Sequence, residues 1–340
     1  MSNNLPTYLT ISTDIDRDLS DAIESIAPDK IAVLVDENTR KHCLPLISIK
    51  SNLIIEIKSG EKEKTLSTCQ HIWSQLTSNG FTRNSLLVNL GGGVIGDMGG
   101  FAAVTFKRGM AFINVPTTLL SQVDASIGGK LGVDFDGLKN HIGVFQEPNK
   151  VIVYPKFLDT LPERELKSGF AEVIKHSLIR SESQWGYLKT KVFQELNWEE
   201  IIPRSIAIKN EVVNEDPREK GVRKILNYGH TIGHAIESHF LDSTYPLLHG
   251  EAIAWGMMLE NKLAVEEGML DKDVSKEIEN YISSIYELPS IVPDYETLKN
   301  HLLQDKKKDA QGIRFSLLTQ INSCTYDVLI EERVLKQVLK

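Results

Sequence analysis

Cysteine is scarce in this chain. Only Cys43, Cys69 and Cys324 occur in 340 residues, an odd number set far apart. They fit neither a disulfide framework nor a thiolate zinc site, which excludes the small disulfide-stapled secreted class. Long apolar runs are absent too. No stretch approaches the roughly eighteen apolar residues of a membrane-spanning helix. The opening MSNNLPTYLTISTDIDR has neither a basic nor an apolar segment, so no signal peptide is expected and the expected compartment is the cytoplasm. Positive charge is not in excess either. The 38 Lys and Arg are outnumbered by 46 Asp and Glu, for a formal net charge of −8. That balance argues against nucleic acid as a partner, and an anionic ligand would need a local cluster of cations. There is no internal repeat and no low-complexity linker. What remains is a composition of 41% hydrophobic and 25% charged residues, ordinary for a globular protein, at a length suited to about two domains.

Two classes of pattern divide the chain. IAVLVDE (31–37), NLIIEI (52–57), SLLVNL (85–90), AFINVP (111–116) and KVIVYP (150–155) are short runs rich in Val, Ile and Leu, with turns or helical patterns between them. Near-continuous apolar strands alternating with helices imply βαβ units and a mostly parallel sheet. From about residue 157 the runs become amphipathic or buried helices, among them LPERELKSGFAEVIKHSLI, WEEIIPRSIAIKNEVVNE and GEAIAWGMMLENKLAVEEG. Two strand-like runs, IRFSLLT and CTYDVLI, come near the end. The expectation is a Rossmann-like α/β domain over 1–156, followed by an all-α domain over 157–340. A cleft between two such domains is a common place for an active site.

Two segments carry chemistry. SLLVNLGGGVIGDMGGFAAV runs strand, glycines, helix, and Gly91, Gly93 and Gly96 have the spacing G-x-G-x-x-G. Backbone amides at such a turn can hold a pyrophosphate. A βα turn of this kind also occurs without a ligand, and no acidic residue stands about twenty positions on, where a ribose partner is usual. Asp36 and Asn38, at the end of the first strand, could serve instead. Thr117 and Thr118 in PTTLL add hydroxyls at another strand end. The second segment, Arg223 to Glu251, holds four of the nine histidines. His230 and His234, four apart, share one face of a helix, and His249 precedes the next helical run. Two imidazoles on one face plus a third ligand form a common catalytic metal site, so spacing alone makes His230 and His234 a ligand pair.

GGGVIGDMGGF, RGMAFINVPTTLLSQVDASIGGK, LKNHIG, LPERELKSGFAEVIKH, RKILNYGHTIGHAIE and HGEAIAWGM, in this order, resemble 3-dehydroquinate synthase of the sugar-phosphate cyclase superfamily. The resemblance covers nearly the whole chain. It implies an NAD-binding α/β domain, a helical domain with a divalent metal (zinc, or cobalt in its place), a phosphorylated small-molecule substrate and a homodimer. By the resemblance the metal ligands are Glu172, His230 and His249, while His234 becomes an acid/base or substrate-binding group. Glu219 stands where the family has a second proton acceptor. NAD would meet Asp36, Asn38, Glu61, Lys64, Gly91, Gly92, Gly93, Asp97, Thr117, Thr118, Lys139, Phe157, Leu158, Asp159 and Thr160. Substrate would meet Arg108, Asp124, Lys130, Asn140, Lys175, Lys209, Arg223, Asn227 and a lysine of DKKK, either Lys306 or Lys307. Departures are few: LKN (138–140) where many members have GKN, and DPREKG (216–221) where many have DEREGG.

The implied reaction turns 3-deoxy-D-arabino-heptulosonate 7-phosphate into 3-dehydroquinate and phosphate. Its substrate carries a phosphate and a carboxylate, which suits a set of cations in an acidic protein. Most single lysines are solvated. Lys130 after SIGG and Lys175 in AEVIKH, set among apolar and small residues, are expected not to be. Three rivals remain: another sugar-phosphate cyclase, a metal- and NAD-dependent alcohol dehydrogenase, and a binding protein without catalysis. A cyclase whose substrate lacks the carboxylate has less use for Arg223 and the full lysine set. A simple dehydrogenase has no need of so many cations. A non-catalytic relative would be marked by loss of a metal ligand, Lys130 or His234, and none is lost.

Overall fold

The computed structural model describes residues 5–136, 138–241, 243–289, 291–304 and 312–340. The chain divides into two compact units after Pro162. The turn Pro155–Thr160 therefore stays with the first unit, although the change of sequence pattern at 156 had assigned its end to the second.

In the first unit, β1 (Leu9–Ile11), α1 (Ile15–Ile26), β2 (Ile31–Asp36), α2 (Glu37–His42), β3 (Leu53–Ile57), α3 (Leu66–Ser78), β4 (Leu86–Gly91), α4 (Gly93–Thr105) and β5 (Ala111–Pro116) are followed by a hairpin, β6 (Lys130–Phe135) and β7 (Leu138–Phe145), and by β8 (Lys150–Val153). Six strands form one sheet in the order β1-β8-β5-β4-β2-β3, every pair parallel. Its central strands are buried on both faces, so they read as unbroken apolar runs rather than as alternation. The side chains still alternate. Val33, Val35, Leu86, Val88 and Ile113 pack with Ile15 and Leu19 of α1. Ala32, Leu34, Leu87 and Phe112 pack with Ile72 of α3 and with Met98 and Ala102 of α4.

The chain runs outward from β2 to β3 and then returns to place β4 on the other side of β2. This reversal puts the C-terminal ends of β2 and β4, Asp36 and Gly91, at the point where open α/β sheets bind ligands. Helix α4 lies very close to the sheet. A Cβ on Gly99 would fall 2.1 Å from Asn89 Oδ1 and 2.7 Å from Leu34 Cδ2. Two elements escaped the sequence reading. β1 has only three residues, too few for a pattern. The antiparallel hairpin β6–β7 buries Leu131 and Val133 on one strand, but leaves five of the eight residues of β7 exposed and none buried, so DFDGLKN and its flanks carry no strand signal.

In the second unit, α5 (Glu163–Arg180), α6 (Glu182–Lys189), α7 (Trp198–Glu215), α8 (His230–Phe240), α9 (His249–Glu266), α10 (Lys272–Ser283) and α11 (Tyr295–Gln304) precede β9 (Ile313–Gln320), β10 (Ser323–Ile330) and α12 (Glu332–Val338). The unit is helical as expected, with one addition to the all-α expectation. IRFSLLT and CTYDVLI pair as the antiparallel hairpin β9–β10. Helix α9 is the hub. It packs on α5, α8, α10, β9 and α12, and Ala252, Ile253, Ala254, Trp255, Met257, Leu259, Leu263 and Ala264 bury it on all sides. A helix apolar all round is a core helix. Among the described residues no helix is long and apolar enough to cross a membrane.

Candidate active site

Three helices of the second unit converge on one group of ligand-type side chains. Helix α5 carries Glu172 within the unbroken buried run 168–179. His230 and His249 are the first residues of α8 and α9. Close backbone approach makes the convergence physical. A Cβ on Gly250 would fall 1.8 Å from Ser168 O of α5, and one on Gly256 would fall 2.0 Å from Gly229 O at the start of α8. Gly229 has φ 79, a left-handed conformation that favours glycine. The start of α9 is fixed by Glu251, which accepts from Leu248 N at 2.8 Å and pairs bidentately with Arg164 at 2.7 Å for both bonds.

Glu172 is fully buried. Its Oε1 lies 3.5 Å from His230 Nε2 and 3.6 Å from His249 Nε2. Donors each about 2.1 Å from one tetrahedral ion stand roughly 3.4 Å apart, so these separations fit three ligands around a common cation. The outer nitrogens fit as well. His230 Nδ1 lies 3.1 Å from Tyr228 O, and His249 Nδ1 lies 3.5 Å from Glu237 Oε2. Outer hydrogen bonds of this kind orient ligating imidazoles and leave Nε2 as the donor atom. Burial, with Lys175 nearby, pushes His230 well below the usual imidazole range. Burial would lower His249 too, but the carboxylates of Glu172 and Glu237 outweigh it and raise it to about 10.

His234 stands beside this group, its ring centroid 5.1 Å from that of His230 and 5.8 Å from that of His249. With Glu237 and His249 it forms a second set of ligand-type atoms in mutual reach. The spacing argument and the resemblance thus point to the same place and differ only over His234 or Glu172 as the third ligand. The buried carboxylate between two Nε2 atoms suits the ligand set Glu172, His230 and His249.

Lys175, one turn on from Glu172, is buried and ion-paired with it. Lys209 on α7 and Arg223 are also buried. Arg223 Nη1 donates to Pro217 O at 2.8 Å. Asn227 Nδ2 donates to Glu219 Oε1 at 2.8 Å, and Glu219 itself is left-handed at φ 54. Asp216 organises this turn, accepting from the backbone N–H of Lys220, Gly221 and Arg223 at 3.0, 2.6 and 3.2 Å. Lys306 and Lys307 lie outside the described residues.

The first unit gathers its own polar groups. Gly91, Gly92, Gly93, Gly96 and Asp97 line a pocket with Asn89, Asn114 and Ser121. Helix α4 begins there on glycines with no side-chain cap, so its first N–H groups face the pocket end of β4. Thr117 N is tied to Gly91 O at 3.0 Å, and the Thr118 hydroxyl lies 2.9 Å from that of Ser121. Lys64, 4% exposed, donates to Asp97 Oδ2 at 2.7 Å and Asn140 Oδ1 at 2.6 Å. Lys139 and Glu61 lie 4.0 Å apart. Asp36 caps α2, accepting from Thr39 N at 2.8 Å, and Asn38 is exposed beside it. Asp124 lies in the π-helical turn Ser121–Ala125.

One expectation needs correcting. Lys130 is exposed at the start of β6, because the Gly128–Gly129 turn carries it out of the small-residue segment. Phe157 packs in the core with Ile15 and Val35, and Leu158 is buried, so of that segment Asp159 and Thr160 present exposed side chains. Arg108, exposed and left-handed, follows the C-terminal end of α4. That puts it about 20 Å from the glycine turn at the other end of the same helix. Sequence reasoning also missed Glu237, Asp216, Asp134, whose Oδ1 accepts from Asn140 N at 2.7 Å, and Glu260, which accepts from Gly229 N and Ile232 N. A lone carboxylate inside the apolar run of α9 was the available signal for Glu260, and the H-x-x-E spacing after His234 was the signal for Glu237.

Models of 3-dehydroquinate synthase match the chain along two adjoining stretches, the N-terminal part over residues 54–168 and the C-terminal part over 169–308. The 3-dehydroquinate synthase of Parabacteroides distasonis is 39% identical over 339 residues, covering 97% of this chain and 94% of that protein. The protein of the same name from a Sulfurovum species is 40% identical over 345 residues, covering 99% and 98%. Among solved structures, 2-deoxy-scyllo-inosose synthase complexed with carbaglucose-6-phosphate, NAD+ and Co2+ superposes with a TM-score of 0.84 at 26% identity, over 97% of this chain and 95% of that one.

Proposed function

The chain belongs to the 3-dehydroquinate synthase family, and from that premise we propose that it converts 3-deoxy-D-arabino-heptulosonate 7-phosphate into 3-dehydroquinate and phosphate. This is a phosphate-eliminating step of the shikimate pathway to aromatic amino acids. The observation that carries the proposal at this chain's own site is the buried Glu172 carboxylate set against two imidazole Nε2 atoms. It is a three-ligand set that leaves further positions for substrate oxygens.

The glycine turn of the first unit would hold NAD⁺, whose bound form would supply reversible hydride transfer and so leave the product at the substrate's oxidation level. Glu172, His230 and His249 would hold a divalent ion, zinc or cobalt, which would supply Lewis acidity to the site. The chain's own groups do the rest. In the first unit, backbone N–H groups at Gly91–Gly93 would bind the diphosphate, and Lys64, held by Asp97 and Asn140, would add charge nearby. In the second unit, buried Lys175, Lys209 and Arg223 would oppose the substrate's phosphate and carboxylate, with Asn227 and Glu219 orienting its hydroxyls. His234, beside the ligands, would move protons. Holding successive intermediates in one orientation matters as much as acid–base strength. A homodimer in the cytoplasm, implied by the family resemblance, completes the proposal.

The test is phosphate release from the heptulosonate phosphate, with and without NAD⁺ and zinc, followed together with NADH absorbance. Phosphate should accumulate without stoichiometric NADH, and only when both additions are present. One NADH per product would replace the synthase with a dehydrogenase. No turnover of any heptulose phosphate, with metal and NAD⁺ both bound, would favour a non-catalytic protein.

A further inference from the structure

We propose that Glu260 is a positioning residue for the candidate metal site, acting on His230 through the peptide bond between Tyr228 and Gly229. The proposal rests on Glu172, His230 and His249 as ligands of one ion. Glu260 is fully buried on α9, with Met257, Leu259, Leu263 and Ala264 along the same helix. An ionised carboxylate in such surroundings is costly unless its oxygens are hydrogen-bonded. Both are. Oε2 accepts from Gly229 N at 2.7 Å, and Oε1 accepts from Ile232 N at 3.0 Å.

These two donors bracket His230. Helix α8 starts on Gly229, which has no side chain to cap the first turn, so the orphan N–H groups are met by a carboxylate from the neighbouring helix. The same peptide unit faces two ways. Its N–H, on Gly229, points to Glu260, while its carbonyl, on Tyr228, lies 3.1 Å from His230 Nδ1. A charge-assisted bond to the N–H polarises the peptide and makes its carbonyl a stronger acceptor. The carbonyl then holds the His230 proton on Nδ1 and turns Nε2 toward Glu172. His249 receives its outer carboxylate directly, from Glu237. His230 receives one at a remove of one peptide. Two ligands are thus oriented by carboxylates of different reach, and neither carboxylate needs to touch the ion.

The experiment is a Co²⁺ titration of the full chain, read by visible absorption, with wild type, Glu260→Gln, His230→Ala and Tyr228→Phe. Tyr228→Phe removes a neighbouring bond to α9 from the residue two before α8, Tyr228 Oη to Asn261 Oδ1 at 2.8 Å, and leaves the backbone relay intact. Glu260→Gln has one acceptor oxygen for two donors. It should weaken Co²⁺ binding by about 10–100-fold and change the band shape, the loss typical of an outer-shell change. Tyr228→Phe should lower the melting temperature but keep the wild-type affinity and spectrum. If Glu260→Gln does not fold, Glu260→Asp, which keeps the charge and shortens the reach, is measured in its place with the same expectation. Wild-type Co²⁺ affinity in the Glu260 variant would overturn the proposal, as would an equal loss in Tyr228→Phe. A wild-type protein that binds no Co²⁺, or binds it as well after His230→Ala, would instead remove the ligand assignment, and the proposal with it.

Discussion

Each unit buries one lysine against a carboxylate, yet the two pairs differ in what surrounds them. Lys64 reaches Asp97, whose side chain is 20% exposed, and shares its charge with Asn140 on the exposed strand β7. Lys175 pairs with Glu172, and neither side chain has any appreciable contact with solvent. The first unit therefore assembles its polar groups at strand ends and a helix start, where backbone N–H groups and water are at hand. The second assembles its ligand-type groups inside a helical core, where the charges of Glu172 and Lys175 depend on each other. The first arrangement suits a large, extended anionic cofactor met largely by backbone. The second suits a small cation and compact anions met by charge in a dry setting.

Neutralising the two lysines should expose that difference most strongly. Lys175→Met strands the buried Glu172 carboxylate, and breaking a buried pair by removing one partner costs about 3–5 kcal/mol. Urea unfolding of the metal-free protein should show the loss, and added zinc should recover part of it by supplying the missing positive charge. Lys64→Met should cost less, about 1–3 kcal/mol, because Asp97 can turn to water. Its main effect should be a higher KM for NAD⁺ with metal content unchanged. Equal destabilisation of the two variants, or no zinc rescue of Lys175→Met, would erase the distinction.

A second contrast lies in the glycines that bring helices close. A Cβ on Gly256 would run into the backbone of the first turn of α8, 2.0 Å from Gly229 O and 2.7 Å from Gly233 N, so α8 and α9 would have to separate. A Cβ on Gly99 would meet the side chains of Asn89 and Leu34, which can rotate or shift. Gly256→Ala should cost about 3 kcal/mol or more and reduce Co²⁺ binding, because His230 moves with α8. Gly99→Ala should cost about 1 kcal/mol and leave the metal in place. Melting temperature and metal content of the two variants, measured side by side, decide it. Metal loss in Gly99→Ala or metal retention in Gly256→Ala would break the link between helix spacing and the ligand cluster.

The two units were also unequally legible in the sequence. Apolar runs gave the central strands of the first unit because burial on both faces leaves an unbroken signal, while exposed β7 left none. GGGVIGD announced a turn because its glycines carry the chain from β4 into α4, and a Cβ on Gly91 would fall 2.5 Å from Ile95 Cβ of that helix. In the second unit His230 and His249 stood out by type and spacing. Glu172 did not, since a carboxylate within LPERELKSGFAEVIKH looks like any helical glutamate until its burial is known. Arg108 was placed with the substrate by resemblance alone, and no spacing or periodicity singles it out. Asp216, Glu237 and Glu260 act on backbone or on another side chain, and periodicity carries no trace of such partners.

Asp216 offers the smallest and most local test of the contrast, because it is where the second unit too relies on backbone donors around an anion. Partial burial would raise its pKa, but the N–H groups of Lys220, Gly221 and Arg223 outweigh that and hold it below its ordinary value of 3.8. A carboxylate whose folded-state pKa is depressed contributes stability that is present in full above the unfolded value. That contribution disappears as pH falls through the folded value. Asp216→Asn keeps one acceptor oxygen and does not titrate. The gap in unfolding midpoint between wild type and this variant should therefore be constant from neutrality to about pH 4 and should close below it. The turn it braces carries Glu219, Arg223 and Asn227, so the variant should also raise KM for the phosphorylated substrate more than it lowers kcat. A gap that closes above pH 5 would mean that another group governs the turn. An unchanged KM would mean that Asp216 holds only the backbone, with the three side chains set by their own burial.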